Sequence, residues 1–132
     1  MDKQLTHLGF IQAVIARMGA NSFLLKGWSV TLVAALFALS AKDAEHRFVL
    51  LAYFPVLAFW ILDAFFLRQE KLFRALYDAV AAGTVGSDRL SMDTSVVAAT
   101  VDSGAKVFFS KTLVAFHGVV AGVVLLATFA IF

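Results

Sequence analysis

Three long apolar stretches set the pattern of this chain, and the clearest runs from Phe48 to about Ala82. Its first part, Phe48 to Leu67, holds one charged group, Asp63. At about 1.5 Å of helical rise per residue this part spans about 30 Å, the thickness of a bilayer's hydrocarbon core. Charges then return, yet the helical pattern continues. Glu70 and Arg74 stand at i,i+4 in the acid-first order. Phe66, Phe73 and Tyr77 share one face, and Arg68 and Lys71 another. The pattern predicts one helix that crosses a membrane over 48–67 and projects as a charged stem over 68–82. Pro55, inside the apolar part, is expected to bend or loosen it, which bilayer helices tolerate.

Upstream, Leu5, Leu8, Ile11, Ile15 and Met18 recur at helical spacing among Lys3, Gln4, Gln12 and Arg17. This predicts an amphipathic helix over 2–18, too short and polar to span, lying in the plane of the membrane interface; packing against a charged stem is the alternative. Gly19-Ala20-Asn21-Ser22 reads as a stop and restart, with Gly ending one helix and Asn21 or Ser22 capping the next. A first span follows over 23–41, with Lys26 near its start, placed to snorkel, and Trp28 at interfacial depth. Ser29 and Thr31 are its only polar groups between Trp28 and Ser40. The short loop 42–47 makes spans one and two an antiparallel hairpin. Residues 83–105 are polar and turn-rich, a cytosolic linker in which 96–101 suits a short helix and a strand equally. A third span is expected over 107–132, with Lys106 and Lys111 at its start. Gly118 and Gly122 stand there at the GxxxG spacing that lets helix backbones approach closely.

Composition agrees with this pattern. The 132 residues are 61% hydrophobic and 15% charged, with a mean hydropathy of +0.88. A soluble domain of this size has no interior for so much apolar surface. The expected fold is therefore a single all-α integral membrane domain. The absence of cysteine excludes a disulfide framework and a thiolate metal site. The start of the chain, with Asp2 and an early polar run, does not resemble a cleaved signal peptide. Of the 11 Lys and Arg, only Lys42 and Arg47 flank the loop between spans one and two. The other nine (Lys3, Arg17, Lys26, Arg68, Lys71, Arg74, Arg89, Lys106 and Lys111) fall on the opposite side. This asymmetry predicts a cytosolic N-terminus, stem and linker, with the C-terminus outside.

Enzyme motifs are absent: there is no G-x-S-x-G, phosphate-binding Gly-rich loop, H-E-x-x-H or usefully spaced carboxylate pair. A non-enzyme without cofactor is expected. His7, His46 and His117 lie far apart in sequence, so no shared metal site is expected either. Asp63 is the most informative residue, about 7 Å inside the cytosolic end of span two by helical rise. A carboxylate in a span costs about 2.5–3.5 kcal/mol at mid-helix, and less near an end. One reading pairs it with Lys26, fixing the hairpin register; the other has it line a hydrated cation path. His117 is expected to hydrogen-bond across helices, with a pore or proton-sensing role second. Arg68, Lys71 and Arg74, with Lys106 and Lys111, suit anchoring to anionic lipid. They also suit binding of a nucleotide or oligonucleotide signal, with their charge repeated as a ring around an oligomer axis. Phe73 and Tyr77 beside them suit packing or base stacking.

Two segments carry a resemblance: Gly19-Ala20-Asn21-Ser22-Phe23-Leu24-Leu25-Lys26-Gly27-Trp28-Ser29, and Leu62-Asp63-Ala64-Phe65-Phe66-Leu67-Arg68-Gln69-Glu70-Lys71-Leu72-Phe73-Arg74-Ala75-Leu76-Tyr77-Asp78 after the Trp60-bearing span. From its start to about Val80 the chain resembles small bacterial membrane proteins of phage-defence operons, of the Hailong B membrane effector kind. The resemblance implies a homo-tetrameric inner-membrane ion channel acting in abortive infection. It would be controlled by single-stranded oligodeoxyadenylate from a partner nucleotidyltransferase-like protein. Three short spans cannot enclose a pathway alone, so a conducting form must be a symmetric homo-oligomer. The sequence reading is a ligand-gated channel or membrane-perturbing effector. Its rivals are a non-conducting structural subunit or membrane anchor for a cytosolic partner and an enzyme acting on lipid or on a bound anion, against which the lack of any nucleophile–base pair in the sequence counts.

Overall fold

The computed structural model describes residues 2–43, 47–87 and 89–131. Helix α1 runs unbroken over Asp2–Asp43, about 63 Å at the usual rise. Helices α2 (Arg47–Leu51) and α3 (Tyr53–Ala81) return antiparallel to it, followed by α4 (Gly104–Phe108) and α5 (Lys111–Ile131). No strand is present among the described residues. Three helical stretches, Asp2–Ala41, Arg47–Ala81 and Lys111–Ala130, are long and apolar enough to cross a membrane. The fold is thus all-helical and compatible with a multi-pass membrane protein.

The expected break at Gly19 to Ser22 is absent, and 2–18 is not a separate in-plane helix. The reason is the seam that α1 shares with α3. Its buried residues are His7, Ile11, Ile15, Ser22, Ser29, Val33 and Ser40. They are separated by four or seven positions, the near-3.5 repeat of left-handed helix pairs. Along this seam Gln4 donates to the Val80 carbonyl at 2.9 Å, Gly19 lies beside Glu70, and Ser22 meets Asp63. The seam changes chemistry along its length. In the polar half it is apolar: Ile11 and Ile15 bury against Leu76 and Val80, and Val97 of the linker closes over them. In the apolar half it carries the small hydroxyl residues Ser22, Ser29 and Ser40 with Val33 among them. Small side chains of this kind let helix backbones approach closely. Ser22 also hydrogen-bonds to Asp63, while Ser29 Oγ is buried without a partner among the described residues. Ser22 therefore serves the seam rather than a cap. Phe73 and Tyr77 pack against the same apolar cluster, which accounts for their spacing without base stacking.

Pro55 acts where expected, but its effect falls one turn upstream. It has no N–H to give the Leu51 carbonyl, so the helix lapses at Ala52. There the Ala52 N–H turns to the Val49 carbonyl at 3.1 Å, and Val56 resumes the ladder onto Ala52 at 3.2 Å. At the far end α3 stops after Ala81, where Gly83 takes φ +80°, a left-handed conformation glycine adopts freely. The linker's 96–101 segment resolves into a single tight helical turn, Ala98–Thr100.

The third span starts later than expected. Ser103 caps α4, its hydroxyl accepting from the Lys106 N–H at 3.3 Å. The helix ends at Phe108, and α5 begins only at Lys111. Trp60 explains the break: its ring stacks on Phe108 with centroids 4.5 Å apart, and its Nε1–H donates to the Phe108 carbonyl at 2.8 Å. From there α5 runs back along the hairpin. Val124 packs with Val33, Ala52 and Val56, and the Tyr53 and Thr128 hydroxyls meet at 2.7 Å. The C-terminal end of α5 thus lies at the end of the bundle opposite the linker. Outward faces are strongly apolar; Phe54 and Phe129 are each 79% exposed.

Candidate functional site

Where the seam crosses from apolar to polar, α1 and α5 both send side chains to one carboxylate of α3. That carboxylate, Asp63, has no exposed surface. Its Oδ1 accepts from the Ser22 hydroxyl. Its Oδ2 accepts from Lys26 Nζ at 2.6 Å and from His117 Nε2 at 2.7 Å. Lys26 Nζ also donates to Ser22 Oγ at 2.8 Å. The expected Asp63–Lys26 pair is therefore in the structure, and Ser22 and His117 complete it. Helical spacing builds the α1 side: Ser22 and Lys26 stand at i,i+4 and so project from one face.

The cluster buries no net charge when the carboxylate and ammonium are both ionised and the imidazole is neutral. That balance makes it tolerable in a low-dielectric setting, where an unpaired charge is not. Because the Asp63 carboxylate accepts, His117 Nε2 carries the proton, and Nδ1 is left buried with no hydrogen-bond partner. Aromatic rings wall the site. His117 stacks on Trp60 at 5.8 Å and meets Phe116 edge-on at 5.0 Å, and Lys26 Nζ lies 5.9 Å from the Phe116 centroid, within cation–π reach. Trp60 is thus held between the imidazole and Phe108.

The basic residues are not gathered into one site. Arg68 donates from Nε to the Asp102 carbonyl at 3.2 Å, and Arg74 pairs with Glu70 at 3.0 Å. Lys71 and Arg74 line a cleft with Asp78, Thr100 and Asp102, so its charge is mixed. Lys106 and Lys111 are exposed on α4 and at the start of α5. Among the described residues, Gly118 and Gly122 do not mediate close packing within the chain. A Cβ at Gly118 would meet only Val114 of the same helix, and one at Gly122 would meet open space.

His7 is a further finding. It is fully buried, with Nδ1 3.0 Å from Ser87 Oγ and Nε2 2.5 Å from the Ser91 carbonyl. The fold thus brings together a hydroxyl and an imidazole that the sequence separates by 80 positions. Both ring nitrogens are taken up tying the linker to α1, so we read this as a structural tie. No group of three or more His, Cys, Asp or Glu that could hold a metal is found among the described residues. His46 lies outside them.

The roles of Ser22 and His7 are the ones that sequence reasoning misses. The signal for Ser22 is its place at i,i+4 to Lys26 and seven before Ser29; nothing in the sequence links His7 to Ser87. No family model, curated protein or solved structure matches the chain, so its functional reading stands on these residues.

Proposed function

We propose that the chain is a homo-oligomeric, ion-conducting membrane effector of the phage-defence kind its sequence resembles, with the Ser22–Lys26–Asp63–His117 cluster holding the shut state. The observation that carries this reading is a charged, hydrogen-bonded cluster drawn from all three apolar helices. Ionisable groups at such depth are costly, and are by default functional. In a single chain the carboxylate is enclosed, so conduction requires several copies about an axis, a tetramer being the arrangement the resemblance favours. Opening is then a shift of α5 against the α1–α3 hairpin that breaks the Asp63–His117 contact. A ligand drives it only by binding the two states with different affinity.

The signal proposed is an anionic cytosolic nucleotide or oligonucleotide made by a partner nucleotidyltransferase. Lys71 and Arg74 would receive it, with Lys106 and Lys111 adding charge. Arg74 is held by Glu70, and Asp78 and Asp102 share the cleft, so phosphate must displace Glu70 or draw on basic charge pooled from several copies. The nine-to-two distribution of Lys and Arg supports a cytosolic stem at a bacterial inner membrane.

Current from purified protein in a planar bilayer, with and without oligonucleotide, tests this reading. We expect discrete conductance that changes on adding the ligand, and a gating change in His117→Ala. Absence of current under every condition, or a monomeric detergent-extracted particle, contradicts it. A second reading, a non-conducting anchor for a cytosolic partner, is favoured by the completeness of the Asp63 contacts, which serve equally as a register lock. Capture of one stoichiometric cytosolic protein through the stem, with no growth effect on overexpression, distinguishes it.

A further inference from the structure

We propose that a groove between α3 and α4 is a specific site for one anionic phospholipid, with Arg68 receiving its phosphate. The groove has a volume of about 450 Å³ and is walled by Ile61, Phe65 and Arg68 on one side and Gly104, Ala105 and Phe109 on the other. That volume lies in the range of small-ligand sites. The small residues Gly104 and Ala105 leave the space open; large side chains at either position would fill it. Phe65 and Phe109 are 54% and 69% exposed, so the aromatic walls face outward.

The groove is directional. Its apolar end is at Ile61 and its cationic end at Arg68, seven residues or about 10 Å apart along α3. That is most of one hydrocarbon leaflet, taking about 15 Å as half the core. Arg68 is the one charged side chain lining it among the described residues, and the Nε–H···O=C bond to Asp102 holds the guanidinium stem at the mouth. The occupant must therefore be apolar over about 10 Å and anionic at the end level with the stem. An acyl chain with a phosphate head meets both demands, and a planar guanidinium suits phosphate oxygens. The exposed Lys106 adds positive charge at the same boundary. The inference is independent of whether the assembly conducts.

The test is retention of lipid by the full-length protein, extracted from vesicles of equal phosphatidylglycerol and phosphatidylcholine and weighed intact by native mass spectrometry. The wild type should keep phosphatidylglycerol over phosphatidylcholine by roughly tenfold, the scale of one charge-assisted contact. Arg68→Gln should lose that preference, Arg68→Lys should keep part of it, and Ala105→Trp should reduce retention of both lipids. Lys111→Gln, which removes equal charge outside the groove, should leave the preference intact. Equal retention of the two lipids by wild type overturns the proposal, as does an unchanged preference in Arg68→Gln. An Ala105→Trp variant that alters oligomer mass but not lipid count would assign the groove to a second copy of the chain, and displacement of lipid by soluble oligonucleotide would assign Arg68 to that signal; either result overturns it.

Discussion

Asp63 and His117 meet at 2.7 Å between α3 and α5, both without exposed surface, and Lys26 of α1 reaches the same carboxylate oxygen. One oxygen therefore accepts from both of the other long helices. Its removal should be felt along the whole bundle rather than at one contact. It also sets the register: sliding α3 by one residue along α1 would turn Asp63 away from Ser22 and Lys26.

Asp63→Ala leaves the Lys26 ammonium without its counter-charge. Breaking one side of a buried pair costs about 3–5 kcal/mol, and Lys26, 21% exposed, can relieve part of that by snorkelling. We expect a loss at the lower end of that range in thermal stability of the detergent-extracted protein. Combining it with Lys26→Met should restore a substantial fraction. Strictly additive losses would show that the two charges do not depend on each other.

The polar half of the hairpin has its own apolar core. Leu76 is fully buried among Ile11, Ile15 and Val80, whereas Leu126 is 72% exposed on α5. Leu76→Ala should cost about 2–5 kcal/mol. Leu126→Ala should change detergent stability by less than about 0.5 kcal/mol, the usual range for outward-facing sites. Equal effects would mean that 2–18 does not pack on the stem.

His7→Ala should free the linker while leaving the apolar half intact. It strands the part-buried Ser91 carbonyl and Ser87 hydroxyl, at about 1 kcal/mol, the low end for partners left unmade. Limited proteolysis should cut 84–95 several-fold faster, with the Asp63 cluster still formed. Unchanged cleavage would show that the imidazole does not hold this segment.

The linker turn at Asp93 has a defined pH response. The Ser95 backbone N–H, 2.9 Å from its carboxylate, and then the Ser95 hydroxyl hold the Asp93 carboxyl below its ordinary range. With the folded value depressed, this contribution is present above the unfolded pKa of about 3.9 and is lost as pH falls through the lower folded value. The Ser95 amide resonance should therefore hold steady from neutral pH to about 5 and move only in stronger acid. Movement centred near neutrality would contradict the assignment.

Much of this architecture is legible in the residues. Apolar runs as long as a bilayer core is thick announce helices of spanning length, and Lys26 and Asp63 are conspicuous as charges inside them. The continuity of α1 is not legible, because Gly19, Asn21 and Ser22 carry the same chemistry whether they end a helix or lie along a helix–helix seam. Only the partner decides, and the partner, Asp63, is 41 residues away. The late start of α5 is hidden for a similar reason. Val107 and Phe108 read as the beginning of an apolar run until Trp60, 48 positions earlier, takes up the Phe108 carbonyl. Likewise the basic residues share one end of the molecule in sequence terms, yet Glu70 and the Asp102 carbonyl divide them.

The arrangement of the chain across a bilayer is the claim on which the rest depends, and the lack of native cysteine makes it directly measurable. Single variants Ala82→Cys, just past α3, and Ala130→Cys, near the end of α5, are both at exposed positions. Labelling intact cells with a membrane-impermeant maleimide should modify Ala130→Cys from outside and leave Ala82→Cys unmodified until the cells are opened. Modification of both from the same side would contradict a hairpin and third helix that cross the membrane, and with them the cytosolic stem.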